Sequence, residues 1–278
     1  MPELPEVETV CRGLRKRIEG QCIVKIEVRN KAVIHSDHTP EAFAKVLEDQ
    51  RIEAIERRGK YIIFVLSEGW LLCHLRMTGK LLEVHAQAPM GKHVHLVVGL
   101  ANGRALYYDD VRRFGGFVYT RDNPYEQPPL SKLGPEPLGE SFDEAYLYEA
   151  TRGRKKPVKS LLLDQGVVAG IGNIYADEVL FRAGVRPKKS ASRLSHKECA
   201  ALVSATKHIL KEAIDAGGST IRDYVASDGQ KGGFQLAHQV YGRAGEACRV
   251  CGTTLKQVEV GGRSSVYCPK CQKSYVKR

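Results

Sequence analysis

This 278-residue sequence has no long hydrophobic run. No apolar stretch approaches the roughly 18–20 residues needed to cross a bilayer, and the acidic, amphipathic start lacks the basic-then-apolar layout of a secretory leader. Neither a helical membrane span nor an export signal is therefore expected, and a reducing cytoplasmic setting is the default. Also missing are a Walker phosphate loop, an H-E-x-x-H metal helix and a G-x-S-x-G nucleophile elbow, which removes three common routes to chemistry. No segment repeats and none is of low complexity. Acids are scarce beside bases: 32 Asp and Glu face 43 Lys and Arg, a formal net charge of +11. Such an excess points to polyanion partners, nucleic acid foremost, although a basic surface also serves solubility.

What is present describes a folded protein. Hydrophobic residues make up 42% and charged residues 27%, and the length suits two domains with separate cores. The basic residues cluster: Arg152, Arg154, Lys155, Lys156 and Lys159 lie within eight residues with no acid among them. From Arg243 onward, eight basic residues meet only Glu246 and Glu259. Runs of one sign on short segments suit phosphate binding.

The eight cysteines divide into two sets. Cys11, Cys22, Cys73 and Cys199 sit in apolar, periodic surroundings and read as buried thiols. Cys248, Cys251, Cys268 and Cys271 form C-x2-C, sixteen residues, C-x2-C, the spacing of a tetrahedral four-thiolate zinc site. The intervening segment suits a β-hairpin turning at Gly261-Gly262. So short a tail builds little core, and the metal would supply its fold; two disulfides compete but suit a reducing compartment poorly. A closed four-cysteine site holds a shape and performs no chemistry.

Val7, Val10, Cys11, Leu14 and Ile18 recur at helical spacing, with Gly20 as a stop. "VKIEVR" alternates, placing Val24, Ile26 and Val28 on one buried face. A short helix around Glu41–Leu47 precedes strands in "KYIIFVLS" and "WLLCHLRM", then a hairpin turning at Asn102-Gly103. Residues 133–139, rich in Pro and Gly, mark a linker. Beyond it "VKSLLLDQ" and "NIYADEVLFRAG" read as helices joined by tight turns in "GVVAGIG", which aims backbone N–H groups and Asn173 outward as a phosphate site. The same glycines also permit close helix packing. Ser195 with Glu198 caps a long helix closed by Gly217-Gly218.

The start, "MPELPEVETV", raises a chemical possibility. Removal of Met1 before the small Pro2 bares a secondary amine, and an α-amine titrates near about 7.7–8.0. Condensed with an aldehyde it gives a cationic iminium, the electron sink of Schiff-base catalysis, with Glu3 placed to shuttle protons. Pro behind an acidic first turn also suits an ordinary helix start.

"PELPEVET", "RRGKY", "HLRMTG", "DVRRFG", "LGPEPL", "GIGNIYADE", "GGSTIRDY", "QVYGRAGEAC" and "GRSSVYCPKCQ" occur in that order. In them the chain resembles, over essentially its whole length, the formamidopyrimidine-DNA glycosylase family, also called 8-oxoguanine DNA glycosylase/AP lyase. The resemblance implies an α+β fold: an N-terminal β-sandwich with a leading helix over 1–133, a linker at 134–142, a helix–two-turn–helix domain over 143–236 and a four-cysteine zinc finger over 237–278. It implies a glycosylase and lyase that excises oxidised purines from duplex DNA and cuts the strand by β,δ-elimination.

By that resemblance Pro2 is the nucleophile, Glu3 the general acid/base, Lys60 a basic contact to the lesion nucleotide, and Arg263 the phosphate-gripping arginine. Met77, Arg112 and Phe114 match the void-filling triad; His93, Arg154, Asn173 and Tyr241 match backbone contacts. The cofactor is one structural Zn2+ on Cys248, Cys251, Cys268 and Cys271. The partner is double-stranded DNA with oxidised purines or abasic sites. A monomer is expected, in the bacterial cytoplasm at the nucleoid. Residues 217–237 look like the family's mobile lid, though a surface linker has similar composition. Ala247 stands where the family often has proline, and "KSYVKR" extends past the last knuckle. Two other readings are an endonuclease VIII-type oxidised-pyrimidine glycosylase, which "RRFG" argues against, and a non-catalytic zinc-ribbon DNA-binding protein.

Overall fold

The computed structural model describes residues 1–219 and 232–273. Two compact units form: Met1–Ser131 together with Ile214–Gln235, and Lys132–Ala213 together with the chain from Leu236 onward.

In the first unit the chain runs through α1 (Leu4–Ile18), β1 (Ile23–Val28), α2 (Pro40–Leu47), β2 (Ile52–Arg58), β3 (Tyr61–Leu66) and β4 (Trp70–His74). It continues through β5 (Lys80–His85), β6 (Val94–Leu100), β7 (Arg104–Asp109) and β8 (Gly116–Thr120). These strands make two antiparallel four-stranded sheets, ordered β1-β6-β7-β5 and β2-β3-β4-β8. One hydrophobic core serves both. It takes Val7, Val10, Leu14 and Ile18 from α1, Phe43 and Leu47 from α2, Ile62 and Phe64 from one sheet, and Leu96, Val98 and Leu106 from the other. The helical periodicity of the first twenty residues thus marks the buried stripe of α1, and Gly20 (φ 81°) ends that helix in a left-handed conformation costly for other residues.

One strand departs from its expected pattern. Alternation places Val24 inward, yet it is 53% exposed. The β1–β6 ladder pairs Ile23 with Leu100 and then Lys25 with Gly99, so Val24 is an extra residue in a bulge. A bulge inserts one residue into the two-residue repeat, and the core face passes from Ile23 to Ile26.

The second unit holds α3 (Glu144–Thr151), α4 (Val158–Leu162), α5 (Asn173–Arg182) and most of α6 (His196–Asp215), then the hairpin β9 (Lys256–Val260) and β10 (Arg263–Tyr267). The expected cap on α6 is present: Ser195 N–H donates to Glu198 Oε2 at 2.9 Å, and Glu198 N–H to Ser195 Oγ at 3.3 Å. Between α4 and α5, Gln165 staples the two turns, donating to Leu163 O and Ile171 O and accepting from Gly170 N–H. The hairpin turns at Gly261 (φ 57°) and Gly262 (φ 72°) as expected. Its small core comprises Phe181, Val240, Leu255 and Val266 around Cys248 and Cys268.

Leu14, fully buried, touches the core from the middle of α1. Leu14→Ala should lower unfolding free energy by about 2–5 kcal/mol, read from urea denaturation midpoints at constant slope. A loss below about 1 kcal/mol would show that α1 is not packed as described.

Candidate functional site

The residues assigned to chemistry begin at the first turn of α1. Pro2 is buried, Glu3 is 2% exposed and Met1 is exposed. Glu3 is the N-cap, and its N–H donates to Glu6 Oε2 at 2.8 Å in a capping box. Glu6 is buried too and accepts the Ser219 N–H at 2.8 Å, which ties the helix start to residues 218–219. A Cβ at Gly218 (φ +79°) would sit 3.0 Å from Glu6 Oε1, so glycine fits this approach best. Residues 220–231 of the expected lid lie outside the described residues.

Lys60 lies on the two-residue turn between β2 and β3, whose first position is Gly59 (φ 56°), as a II′-type hairpin requires. Its position relative to α1 is set by an ion-pair relay. Glu8 on α1 takes Arg57 Nε at 2.9 Å and Arg15 Nη1 at 3.0 Å, and Arg57 Nη1 donates to Gly59 O at 3.0 Å. Burial alone would raise the Glu8 carboxyl, yet the bonds from Arg15 and Arg57 hold it below the usual range. Lys60 itself is 6% exposed. Beside it stands His74, at the end of β4, which burial pushes down to about 3 with repulsion from Arg76 and Lys60 adding to the effect. His74 Nδ1 accepts the Arg76 N–H at 2.9 Å, so the neutral ring keeps Nε2 as its donor.

Two loops of this unit present side chains to solvent. Met77 is 40% exposed and Phe114 52%, and Arg112 stacks its guanidinium 4.5 Å over the Phe114 ring. An exposed aromatic ring stacked under a guanidinium suits an aromatic, polar-edged ligand such as a base stack. His93, half-buried just before β6, has its ring 6.5 Å from that of His95.

In the second unit Arg154 and Arg263 are exposed, and Asn173 and Tyr241 are half-buried. Asn173 opens α5 and donates to Ser264 O at 3.2 Å, placing it next to the strand that Arg263 begins. Tyr241 N–H donates to Glu178 Oε1 at 2.8 Å. The basic cluster at 152–159 is not a continuous phosphate surface. Lys159 is fully buried, paired to Asp177 at 2.8 Å and donating to Ser264 O at 2.7 Å. Arg152 binds Thr151 Oγ1 and Leu194 O, and Lys156 pairs with Asp164. Only Arg154 and Lys155 of the five stay exposed. Adjacency in sequence counted charges whose partners are brought by the fold.

The four finger cysteines come together as their spacing predicts: their Sγ atoms all lie within 4.8 Å of one another. Cys248 to Cys271 is 3.9 Å and Cys251 to Cys268 is 3.4 Å. Four thiolates about 2.3 Å from a tetrahedral zinc stand roughly 3.8 Å apart, so the donors fit that ion. The other thiols follow expectation except Cys22, which is half-buried.

A β-sandwich with a buried prolyl start, a helix–two-turn–helix element and a four-thiolate finger define a zinc-finger class of nucleic-acid-binding protein. Residues 1–117 match the formamidopyrimidine-DNA glycosylase N-terminal domain, 133–225 the H2TH domain of the same family, and 245–273 the zinc finger found in FPG and IleRS. The chain belongs to the formamidopyrimidine-DNA glycosylase family. The glycosylase of Ectopseudomonas mendocina is 46% identical over 273 residues, covering 98% of this chain and all of its own. A Lactococcus lactis Fpg mutant in complex with Fapy-dG-containing DNA superposes with a TM-score of 0.92 at 41% identity, over 98% of this chain and 100% of that one. The Lactococcus lactis Fpg with DNA containing an abasic site gives 0.91 at 41% identity, with the same coverage.

Glu6, His74, Asp110, Asp177 and Glu178 escaped the sequence reading, because a buried acid or imidazole looks like any other in sequence. The one signal was an acid set among basic or apolar neighbours, as in "DVRRFG" and "YADEVL". His74 has a measurable consequence. Its imidazole titrates near about 6.5 when unfolded and only at about 3 when folded. Between those values the unfolded chain binds the extra proton, so stability falls as the solution is acidified. His74→Gln should lose less stability than the parent between about pH 7 and about pH 5, read from thermal midpoints; equal losses would contradict the depressed imidazole.

Proposed function

We propose that Pro2, with Met1 removed, is the nucleophile of a bifunctional glycosylase and AP lyase acting on oxidised purines, 8-oxoguanine and formamidopyrimidines, in duplex DNA. The observation carrying this reading is the buried Pro2–Glu3 start of α1, fixed to the Lys60 turn through Glu8 and Arg57. A base inside a duplex shields its glycosidic bond, so the damaged nucleotide is first extruded. The Pro2 nitrogen then bonds to C1′ as the C1′–N bond breaks and the base departs with that electron pair and a proton. Ring opening, with Glu3 giving a proton to the ring oxygen, leaves an iminium on the open-chain sugar. That cation acidifies the sugar protons. Loss of one from C2′ expels the 3′ phosphate, and loss of one from C4′ expels the 5′ phosphate.

Lys60 holds the lesion nucleotide, and His74 offers a neutral donor beside it. Met77, Arg112 and Phe114 fill the vacated stack, the guanidinium bonding the orphaned cytosine edge. His93, Arg154, Asn173 and Tyr241 grip the backbone, as does Arg263. Cys248, Cys251, Cys268 and Cys271 hold one zinc, whose work is to fix the hairpin that carries Arg263. The described residues contain no helix long and apolar enough to cross a membrane. With bacterial relatives, the working place is the cytoplasm at the nucleoid, and the working form is a monomer.

Borohydride added during incubation with an 8-oxoguanine duplex should trap a protein–DNA adduct, with mass spectrometry placing the link at residue 2; Pro2→Gly should abolish the trap. Binding without trapping would favour the zinc-ribbon binder, and efficient trapping only on oxidised pyrimidines the endonuclease VIII type. Chelating the zinc should abolish DNA binding while the N-terminal unit still melts cooperatively. Retained binding would separate Arg263 from the metal.

A further inference from the structure

We propose that Asp110 is a positioning residue for lesion extrusion: its buried carboxylate couples the loop carrying Met77 to the loop carrying Arg112 and Phe114, so that the three side chains enter the duplex as one rigid element. The inference rests on the void-filling roles given above to those three residues.

Asp110 is wholly buried. Its Oδ1 accepts from Thr78 Oγ1 at 2.5 Å and from the Arg112 N–H at 3.2 Å. Its Oδ2 accepts from the Gly115 N–H at 3.0 Å and from the Tyr108 hydroxyl at 3.0 Å. Thr78 follows Met77 directly, while Arg112 and Gly115 bracket Phe114, so one carboxylate joins both loops. The hydroxyl of Thr78 closes the ring by accepting from Arg112 N–H at 3.2 Å. The backbone of Asp110 extends the network to a third segment: its N–H donates to His93 O at 3.0 Å, and its own carbonyl lies 3.0 Å from His95 Nε2.

Steric fit reinforces the hydrogen bonds. A Cβ at Gly115 would lie 2.2 Å from the Tyr108 hydroxyl and one at Gly79 would lie 2.8 Å from it, so both loops close tightly on that oxygen. Each loop also holds a non-glycine residue in the left-handed region, Arg76 at φ 51° and Arg113 at φ 56°. Such conformations persist only where the surroundings over-determine them. Burial would raise the Asp110 carboxyl, but its four donors outweigh that and hold it below its ordinary value, so it stays ionised and acceptor-only. An amide in its place would turn a donor toward another donor.

The residue touches no reacting atom. Its contribution is to deliver a wedge already shaped, since freely moving side chains would lose entropy on entering the stack. Extrusion from a duplex needs that wedge, whereas cleavage at an abasic site in a single strand has no opposite base and no gap to fill.

The test compares Asp110→Asn, Thr78→Val, Arg112→Ala and Phe114→Ala with the parent enzyme. Three quantities are read: single-turnover excision of 8-oxoguanine opposite cytosine, cleavage of an abasic site in a single-stranded oligonucleotide, and the thermal midpoint. Asp110→Asn should slow duplex excision by about a hundredfold, the cost of slight misplacement, while single-strand cleavage is retained. Thr78→Val, which severs only one loop, should move in the same direction by a smaller factor and carries the test if Asp110→Asn does not fold. Proportional loss of both activities in these two variants, or loss of neither, overturns the inference. If Arg112→Ala and Phe114→Ala themselves leave duplex excision intact, the void-filling reading fails. If they lose it while Asp110→Asn and Thr78→Val keep it, that reading stands and the positioning role of Asp110 falls.

Discussion

A carboxylate removed from water must recover its hydrogen bonds from the protein, and in this chain the donors it recovers are repeatedly backbone N–H groups of turns and element ends. Glu6 collects the N–H groups of Glu3 and Ser219. Asp110 collects those of Arg112 and Gly115. Asp177 takes the Val266 N–H and the Ser265 hydroxyl, and Glu178 takes the N–H groups of Gln239, Val240 and Tyr241. All four acids are at most 3% exposed. Leaving such a charge unpaired costs several kcal/mol, so each carboxylate locks the segment it binds.

The same constraint governs the basic residues. A net charge of +11 suggests a broad phosphate-binding face, yet many of the cations are occupied internally. Arg15 and Arg57 serve Glu8, and Lys159 serves Asp177. Arg186 binds Gln272 O and Pro269 O, and Arg243 binds Gln239 O and Ala247 O. Within the second unit, Arg154 and Lys155 near α4 and Arg263 at the hairpin turn are among the basic residues that stay exposed. Composition alone therefore does not tell which cations face solvent and which are spent on internal partners.

Placement of Arg263 shows how the finger and the helices cooperate within their unit. The four thiolates close the hairpin at its base, while Lys159 and Asn173 share Ser264 O and Asp177 fixes the next two residues of β10. Gly261 brings the turn so near Ser160 that a Cβ there would sit 2.8 Å from its hydroxyl. Metal and helices thus constrain opposite ends of a five-residue strand, and the arginine at its first position inherits that rigidity.

Local signals were legible without a structure. The 3.6-residue stripe of α1, the Asn102-Gly103 and Gly261-Gly262 turns, the Ser195–Glu198 cap and the C-x2-C pairs each depend on neighbours a few residues away, and each appears where it was expected. The tertiary structure decided the rest, because it concerns partners far apart in the chain. A bulge turned Val24 outward; Asp177 drew Lys159 from the surface into a buried pair; Asp110 bound Thr78, thirty-two residues away. Sequence spacing sets what a residue can reach along its own helix or hairpin. Which charge is buried, and which loop it holds, follows only when distant segments pack against each other.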